Sequence, residues 1–215
     1  MVSSLSRAFA AAVAAFACAF AAAPAQAHPH VFVKMASELV YAPDGSVTGV
    51  RHAWTFDDMF SAYATQGLDQ KEKGRFTREE LAPLAEINVT SLKEYDFFTF
   101  AKADGRTALF DPPVDYWLDY TDEVLTLHYT LPLKKAVKAK ALELEVYDPS
   151  YFVEFSFREK DPVALVGAPA QCKATMAKPP EAELNKARRL SEAFFDQLGA
   201  GTVDAQLANR ISVAC

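Results

Sequence analysis

The chain has 215 residues, with 28 acidic against 22 basic side chains and a formal net charge of −6. That length suits a single domain with a sizeable buried core. The acidic balance and the lack of a basic stripe exclude a nucleic-acid-binding surface, which needs clustered Lys and Arg.

Residues 1–27 carry the marks of a cleavable secretory signal. Arg7 supplies the positive n-region, Ala8 to Ala23 is almost wholly Ala, Phe and Val, and Ala25-Gln26-Ala27 forms a small-any-small cleavage motif. The apolar stretch is shorter than the ~20 residues that a membrane span needs. The expectation is cleavage after Ala27 and a mature domain over residues 28–215 that is periplasmic and does not span the membrane. Cleavage removes one cation, Arg7, and no acid, taking the formal charge from −6 to −7.

Val31 to Tyr41 reads as a strand, Pro43-Asp44-Gly45 as a turn and Val47 to Phe56 as the returning strand of a hairpin. Alternation puts Val50, His52, Trp54 and Phe56 on one face of it. Asp57 to Leu68 reads as helix, and so does Leu81 to Phe98, whose apolar residues recur at three and four. Ala103-Asp104-Gly105 closes a helical insertion of about residues 57–103. Strands follow at Val114–Tyr120, Glu123–Leu131, Ala141–Tyr147, Tyr151–Phe157 and Ala164–Val166. Lys134, Lys135, Lys138 and Lys140 form one short cluster, read as a solvated turn. Glu181 to Leu198 reads as an amphipathic helix stopped by Gly199, and Arg210 to Ala214 as a last short strand. Strands on both sides of a helical insertion, with few βαβ signals, give an α+β fold with an antiparallel sheet.

Two cysteines remain after the signal, Cys172 and Cys215. In an oxidising compartment a pair of this kind forms one disulfide; two free thiols are the alternative.

Cleavage after Ala27 would expose His28-Pro29-His30. An N-terminal histidine offers its α-amine and its imidazole together as a chelate, and the amine, with a pKa near 8, is partly available at neutral pH. His30 adds a second imidazole, and imidazole suits zinc, copper and nickel. The alternative is that two histidines simply follow a cleavage site. Asp57 and Asp148 are candidates to complete or orient such a site. Each also has a structural role available, Asp57 as a helix cap and Asp148 as the first residue of a Pro-containing turn. His52, between Val50 and Trp54, reads as a core histidine before it reads as a ligand. His128 falls opposite Leu127 and Tyr129, at a solvent-facing position; His52 and His128 stand behind His28 and His30 as the further metal-ligand candidates.

Asp69 to Glu80 has the spacing of an EF-hand loop, with Asp69 first, Gly74 sixth, Phe76 eighth and Glu80 twelfth. Lys71 and Lys73 occupy the third and fifth positions, where oxygen ligands are needed. Cations there repel calcium, so this is a degenerate calcium loop and no calcium is expected. Thr77 and Glu80 also make a capping box for the helix that follows.

Ala27-His28-Pro29-His30-Val31, the run from Val50 through Trp54-Thr55-Phe56-Asp57, Tyr147-Asp148-Pro149-Ser150-Tyr151-Phe152 and Ile211-Ser212-Val213-Ala214-Cys215 resemble a bacterial periplasmic family of unknown function. That family is described as a periplasmic component of an ABC-type transport system and is associated with nickel, cobalt and zinc permeases. The resemblance covers nearly the whole mature chain. It implies an accessory protein that binds zinc or nickel through the mature N-terminus and works with an inner-membrane metal permease. Two other readings stand beside it: a copper-dependent oxidative enzyme using the N-terminal histidine, and a metal-free structural adaptor of the transporter.

Overall fold

Alternating burial along the strands builds two sheets that face each other across one core. The computed structural model describes residues 30–189 and 204–215. In chain order, β1 (Val31–Tyr41) and β2 (Val47–Phe56) form the first hairpin, followed by helices α1 (Asp58–Ala64) and α2 (Arg78–Leu92). Then come β3 (Thr99–Ala103), β4 (Arg106–Ala108), β5 (Val114–Thr121), β6 (Val124–Val137) and β7 (Ala141–Val146). β8 (Val153–Phe157), β9 (Val163–Val166) and β10 (Lys173–Ala177) lead to helices α3 (Glu181–Ala187) and α4 (Asp204–Leu207), and β11 (Asn209–Ala214) closes the described chain.

The first sheet runs β5-β6-β2-β1, antiparallel throughout. The remaining edge of β1 is shared by two parallel strands, β8 along Val31–Met35 and β9 along Ser37–Val40. The second sheet, β10-β11-β7-β3-β4, is wholly antiparallel. The α+β class with an antiparallel-dominated architecture is therefore what the structure shows. Leu125, Leu127, Tyr129, Leu131 and Leu133 of β6 point inward at every second position and are at most 8% exposed. At the centre Trp54 is 1% exposed and meets Tyr129 and Phe155 edge-on, with ring centroids 5.1 and 4.8 Å away. Truncating a buried aromatic of this kind costs about 3–5 kcal/mol.

Helix α2 adds to the same core through Leu81, Ala85 and Val89, spaced by four residues on one face. Its start is fixed by Thr77 and Glu80, which form both halves of the capping box. The helix ends at Leu92 rather than at Phe98. Lys93–Phe98 is a 3-10 turn in which Asp96, Phe97 and Phe98 take φ of 50°, 56° and 48°. Side chains disfavour that region, but the reversal buries both Phe97 and Phe98 in the core. Residues 99–103 thus belong to β3, not to the helical insertion, and Asp104-Gly105 is the turn of a β3–β4 hairpin.

The C-terminal helix begins at Glu181 as its sequence implies but ends at Ala187, with Arg188 as its C-cap, short of the expected Glu181–Leu198; residues 190–203 lie outside the described residues. Leu184 and Ala187 of α3 pack with Tyr151 and Leu207 in a small second cluster. The Arg188 guanidinium donates to Glu154 through Nε (3.0 Å) and Nη2 (2.6 Å), and the Tyr151 hydroxyl donates to the same carboxylate. Cys172 and Cys215 are joined in a disulfide that ties the end of β11 to the chain entering β10.

The disulfide spans 43 residues, so in the chain-entropy view it stabilises the fold by about 4 kcal/mol. Alkylation without reductant is expected to add no label at either cysteine, and the Cys172→Ser, Cys215→Ser pair is expected to unfold at clearly lower denaturant. Two labels on the unreduced protein would contradict this.

Candidate functional site

Three sequence motifs far apart in the chain meet where β1 begins. The His30 amide donates to the carbonyl of Phe152 at 2.9 Å, and its ring lies against the Phe152 ring with centroids 4.8 Å apart. On the other side, Asp57 is bound to Phe32 by two hydrogen bonds: Phe32 N–H donates to Oδ2 at 2.7 Å and Asp57 N–H donates to the Phe32 carbonyl at 3.0 Å. Its Oδ1 accepts from Phe60 N–H at 2.8 Å, so Asp57 is also the N-cap of α1. A carboxylate at that position satisfies an orphan amide and faces the positive end of the helix.

Asp148 is buried, and both of its oxygens are engaged. Oδ1 accepts from the amide and the hydroxyl of Ser150, each at 2.8 Å, and Oδ2 accepts from Val153 N–H at 2.9 Å. These bonds close the turn from Asp148 to Val153 and so place Phe152 against His30. Asp57 and Asp148 thus come to the corner as its scaffold, Asp57 holding Phe32 and Asp148 holding the turn that sets Phe152 against His30. Among the described residues, no group of three or more His, Cys, Asp or Glu side chains could hold a metal ion. His28, the other half of the expected ligand pair, lies outside the described residues.

His52 is elsewhere, in the core, 2% exposed. Its Nδ1 lies 2.9 Å from the Ser37 hydroxyl and its Nε2 lies 3.3 Å from the Thr99 hydroxyl. Thr99 spends its own proton on the Phe97 carbonyl, 2.8 Å away. Nε2 must then carry the imidazole proton and donate, leaving Nδ1 to accept from Ser37. Burial pushes this histidine down to a pKa of about 3. Both ring nitrogens are used by hydroxyls, which is the geometry of a core histidine.

His128 faces the opposite side of the same sheet and is half-buried rather than simply solvated. It stacks on Trp117 with centroids 4.8 Å apart and planes 6° from parallel, and the Arg78 guanidinium lies over the Trp117 ring at 4.7 Å. Asp119 gathers all three: Oδ2 lies 3.1 Å from His128 Nε2 and 3.3 Å from Trp117 Nε1, and Oδ1 lies 3.3 Å from Arg78 Nε. Burial holds the His128 imidazole below its ordinary value, against the opposite pull of the Asp119 carboxylate. Alternation places His128 and Trp117 on the outer face, but Arg78 comes from a helix, so strand periodicity carries no signal for this cluster.

In the degenerate calcium loop, Glu80 turns its carboxylate to backbone amides, accepting from Lys71 N–H at 3.0 Å and Thr77 N–H at 2.8 Å. Gly74 takes φ +80°, and Phe76 anchors the loop against Tyr120 at 5.0 Å. Asp69 is exposed.

The chain belongs to the family described as "Protein of unknown function (DUF1007)", which matches residues 13–215. A protein of Haemophilus influenzae called "Uncharacterized protein" is 22% identical over 156 residues, 71% of this chain and 74% of its own. A Spirochaeta aurantia protein called "Uncharacterized 15.5 kDa protein in trpE 3'region" is 28% identical over 98 residues, 45% of this chain and 70% of its own.

Two outcomes follow from these geometries. Because the folded pKa of His52 lies below the unfolded value of 6.5, the unfolded chain binds the extra proton first. The His52 contribution is then complete above pH 6.5 and is lost as pH falls towards about 3. Denaturant titrations are expected to show a loss of roughly 2–3 kcal/mol by pH 4.5 beyond that of His52→Gln. Equal pH slopes for the two proteins would contradict the assignment. For the loop, calorimetry is expected to detect no calcium binding at micromolar concentrations, since Lys71 and Lys73 stand where ligands would be; micromolar affinity would overturn that reading.

Proposed function

We propose that this family member is a periplasmic accessory of an inner-membrane metal transport system, binding zinc or nickel through His28 and His30. The observation that supports it best is the convergence at the start of β1, where Phe152 holds the His30 amide and ring and Asp57 holds Phe32 two residues on. Preorganisation of this kind lowers the entropy lost when a ligand residue closes on a metal. His30 is exposed at this corner, and the residue two positions before it is the second histidine.

The donor chemistry fits a borderline ion. The α-amine and imidazole of His28 with the imidazole of His30 are three nitrogens, most of a tetrahedral zinc shell. Asp57 and Asp148 act by holding the corner, because their oxygens already accept backbone amides. Metal binding would be switched on by cleavage, since the α-amine exists only in the processed chain.

The partner half of the reading has its own support. Met59 and Tyr63 of α1 and Ile87 of α2 are 80%, 76% and 63% exposed. Tyr63 and Ile87 line one groove between the two helices; exposed apolar groups of this kind are characteristic of a docking face, here for the permease.

The test is a matched pair, one protein beginning at His28 and one with a Gly-Ser extension that keeps both imidazoles and moves the amine away. Zinc affinity is expected to fall at least tenfold, about 1.4 kcal/mol, on extension, and comparably in His30→Ala. Unchanged affinity in both would falsify the N-terminal site.

A further inference from the structure

Half of the lysine cluster read as a solvated turn, Lys134 and Lys135, lies on the far end of β6, and Lys138 and Lys140 follow it. Phe110 bridges to Leu133, and Lys134 N–H donates to the Leu109 carbonyl at 2.8 Å. These bonds tie the distal end of β6 to the chain leaving β4 and open a groove of about 540 Å³ between them. Its walls carry Arg106, Lys134, Lys135 and Lys138 beside the apolar Leu109 and Val137.

Four cations on a chain of net charge −6 call for counter-charges. Lys138 has one, Asp44 at 3.4 Å. Among the described residues, no carboxylate lies within 4 Å of the cationic groups of Arg106, Lys134 or Lys135. The acid on the groove wall, Asp104, directs Oδ1 to the amides of Lys140 and Ala141, at 3.0 and 2.9 Å. A second groove of about 390 Å³ adjoins through Leu109 and Lys134 and does carry acids, Asp96, Glu143 and Glu145. Glu145 is paired with Arg210. Like charges gathered without partners in a concave site create a local positive potential, and Leu109, 59% exposed, gives that site an apolar lip.

We propose that this groove binds a phosphate group, with Arg106, Lys134 and Lys135 supplying the charge. The Arg106 guanidinium suits two-point contact with phosphate oxygens, and the lysines act as point charges beside it. The phosphate can belong to a free phosphorylated solute or to a phospholipid headgroup, and in the second case Leu109 and Val137 face the hydrocarbon. The site stands at the opposite end of β1 from His30, since Val137 pairs with Val47 beside the hairpin turn, and it does not rest on the metal reading.

Two arms of one experiment separate the sources. Calorimetry with inorganic phosphate and pyrophosphate probes the free anion, and co-sedimentation with phosphatidylglycerol against phosphatidylcholine vesicles probes the headgroup. Saturable binding in either arm, weakened at least tenfold in Lys134→Gln, Lys135→Gln and again in Arg106→Gln, supports the proposal and identifies the source. Thermal unfolding of each variant shows that the fold is kept, and because the substitutions lie on separate strands, one can fail to fold without ending the test. Absence of binding in both arms, or binding that the neutralised variants retain, overturns it.

Discussion

A chain of hydrogen bonds crosses the core and sets much of what surrounds it. Ser37 of β1 donates to His52 of β2, His52 donates to Thr99 of β3, and Thr99 donates to the Phe97 carbonyl. The bond from His52 to Thr99 joins the two sheets, and Asn209 makes a second crossing by donating to the Phe155 carbonyl at 2.7 Å. Polar groups at this depth cost about 1–3 kcal/mol each when left unpaired, so the chain specifies partners as well as adding stability. A one-residue slip of β1 against β2 would put Ser37 and His52 on opposite faces. The left-handed reversal at residues 96–98 is what brings Thr99 beneath His52, and its backbone cost is repaid by burying Phe97 and Phe98.

With β1 and β2 held in register, the beginning of β1 is determined too. Phe56 pairs with Val33, which places Asp57 beside Phe32, and Val31 pairs with Val153, which places Phe152 beside His30. The two aspartates proposed as ligands prove to be the residues that make this corner. Near the other end of the same strand, the β3–β4 hairpin and the far reach of β6 form the cationic groove. The molecule therefore presents its two candidate ligand surfaces at opposite ends of one central strand.

Much of the first sheet was legible because its strands are half-buried and alternate cleanly; β1 and β2 have the bounds their sequences imply. β3 and β4 were not, because the apolar period of the preceding helix continues into Phe98 with no Gly or Pro to interrupt it. Left-handed φ at three consecutive non-glycine residues leaves no mark in composition. β10 is exposed at all five positions and so carries no alternation. Beyond Leu133, β6 loses its alternation too, which is why Lys134 and Lys135 resembled a turn. The core role of His52 could be read from Val50 and Trp54 on its face. The role of Asp57 as a helix cap was visible in its position, whereas its bond to Phe32 depends on strand pairing across 25 residues.

The proposed metal site lies at one place, the start of β1. Anomalous scattering at the zinc edge, from crystals of processed protein loaded with one equivalent of zinc, locates the ion directly. A single peak is expected about 2.0–2.1 Å from a ring nitrogen of His30, the ordinary zinc–imidazole distance. A dominant peak at the Asp119–His128 pair, with none at His30, would contradict it.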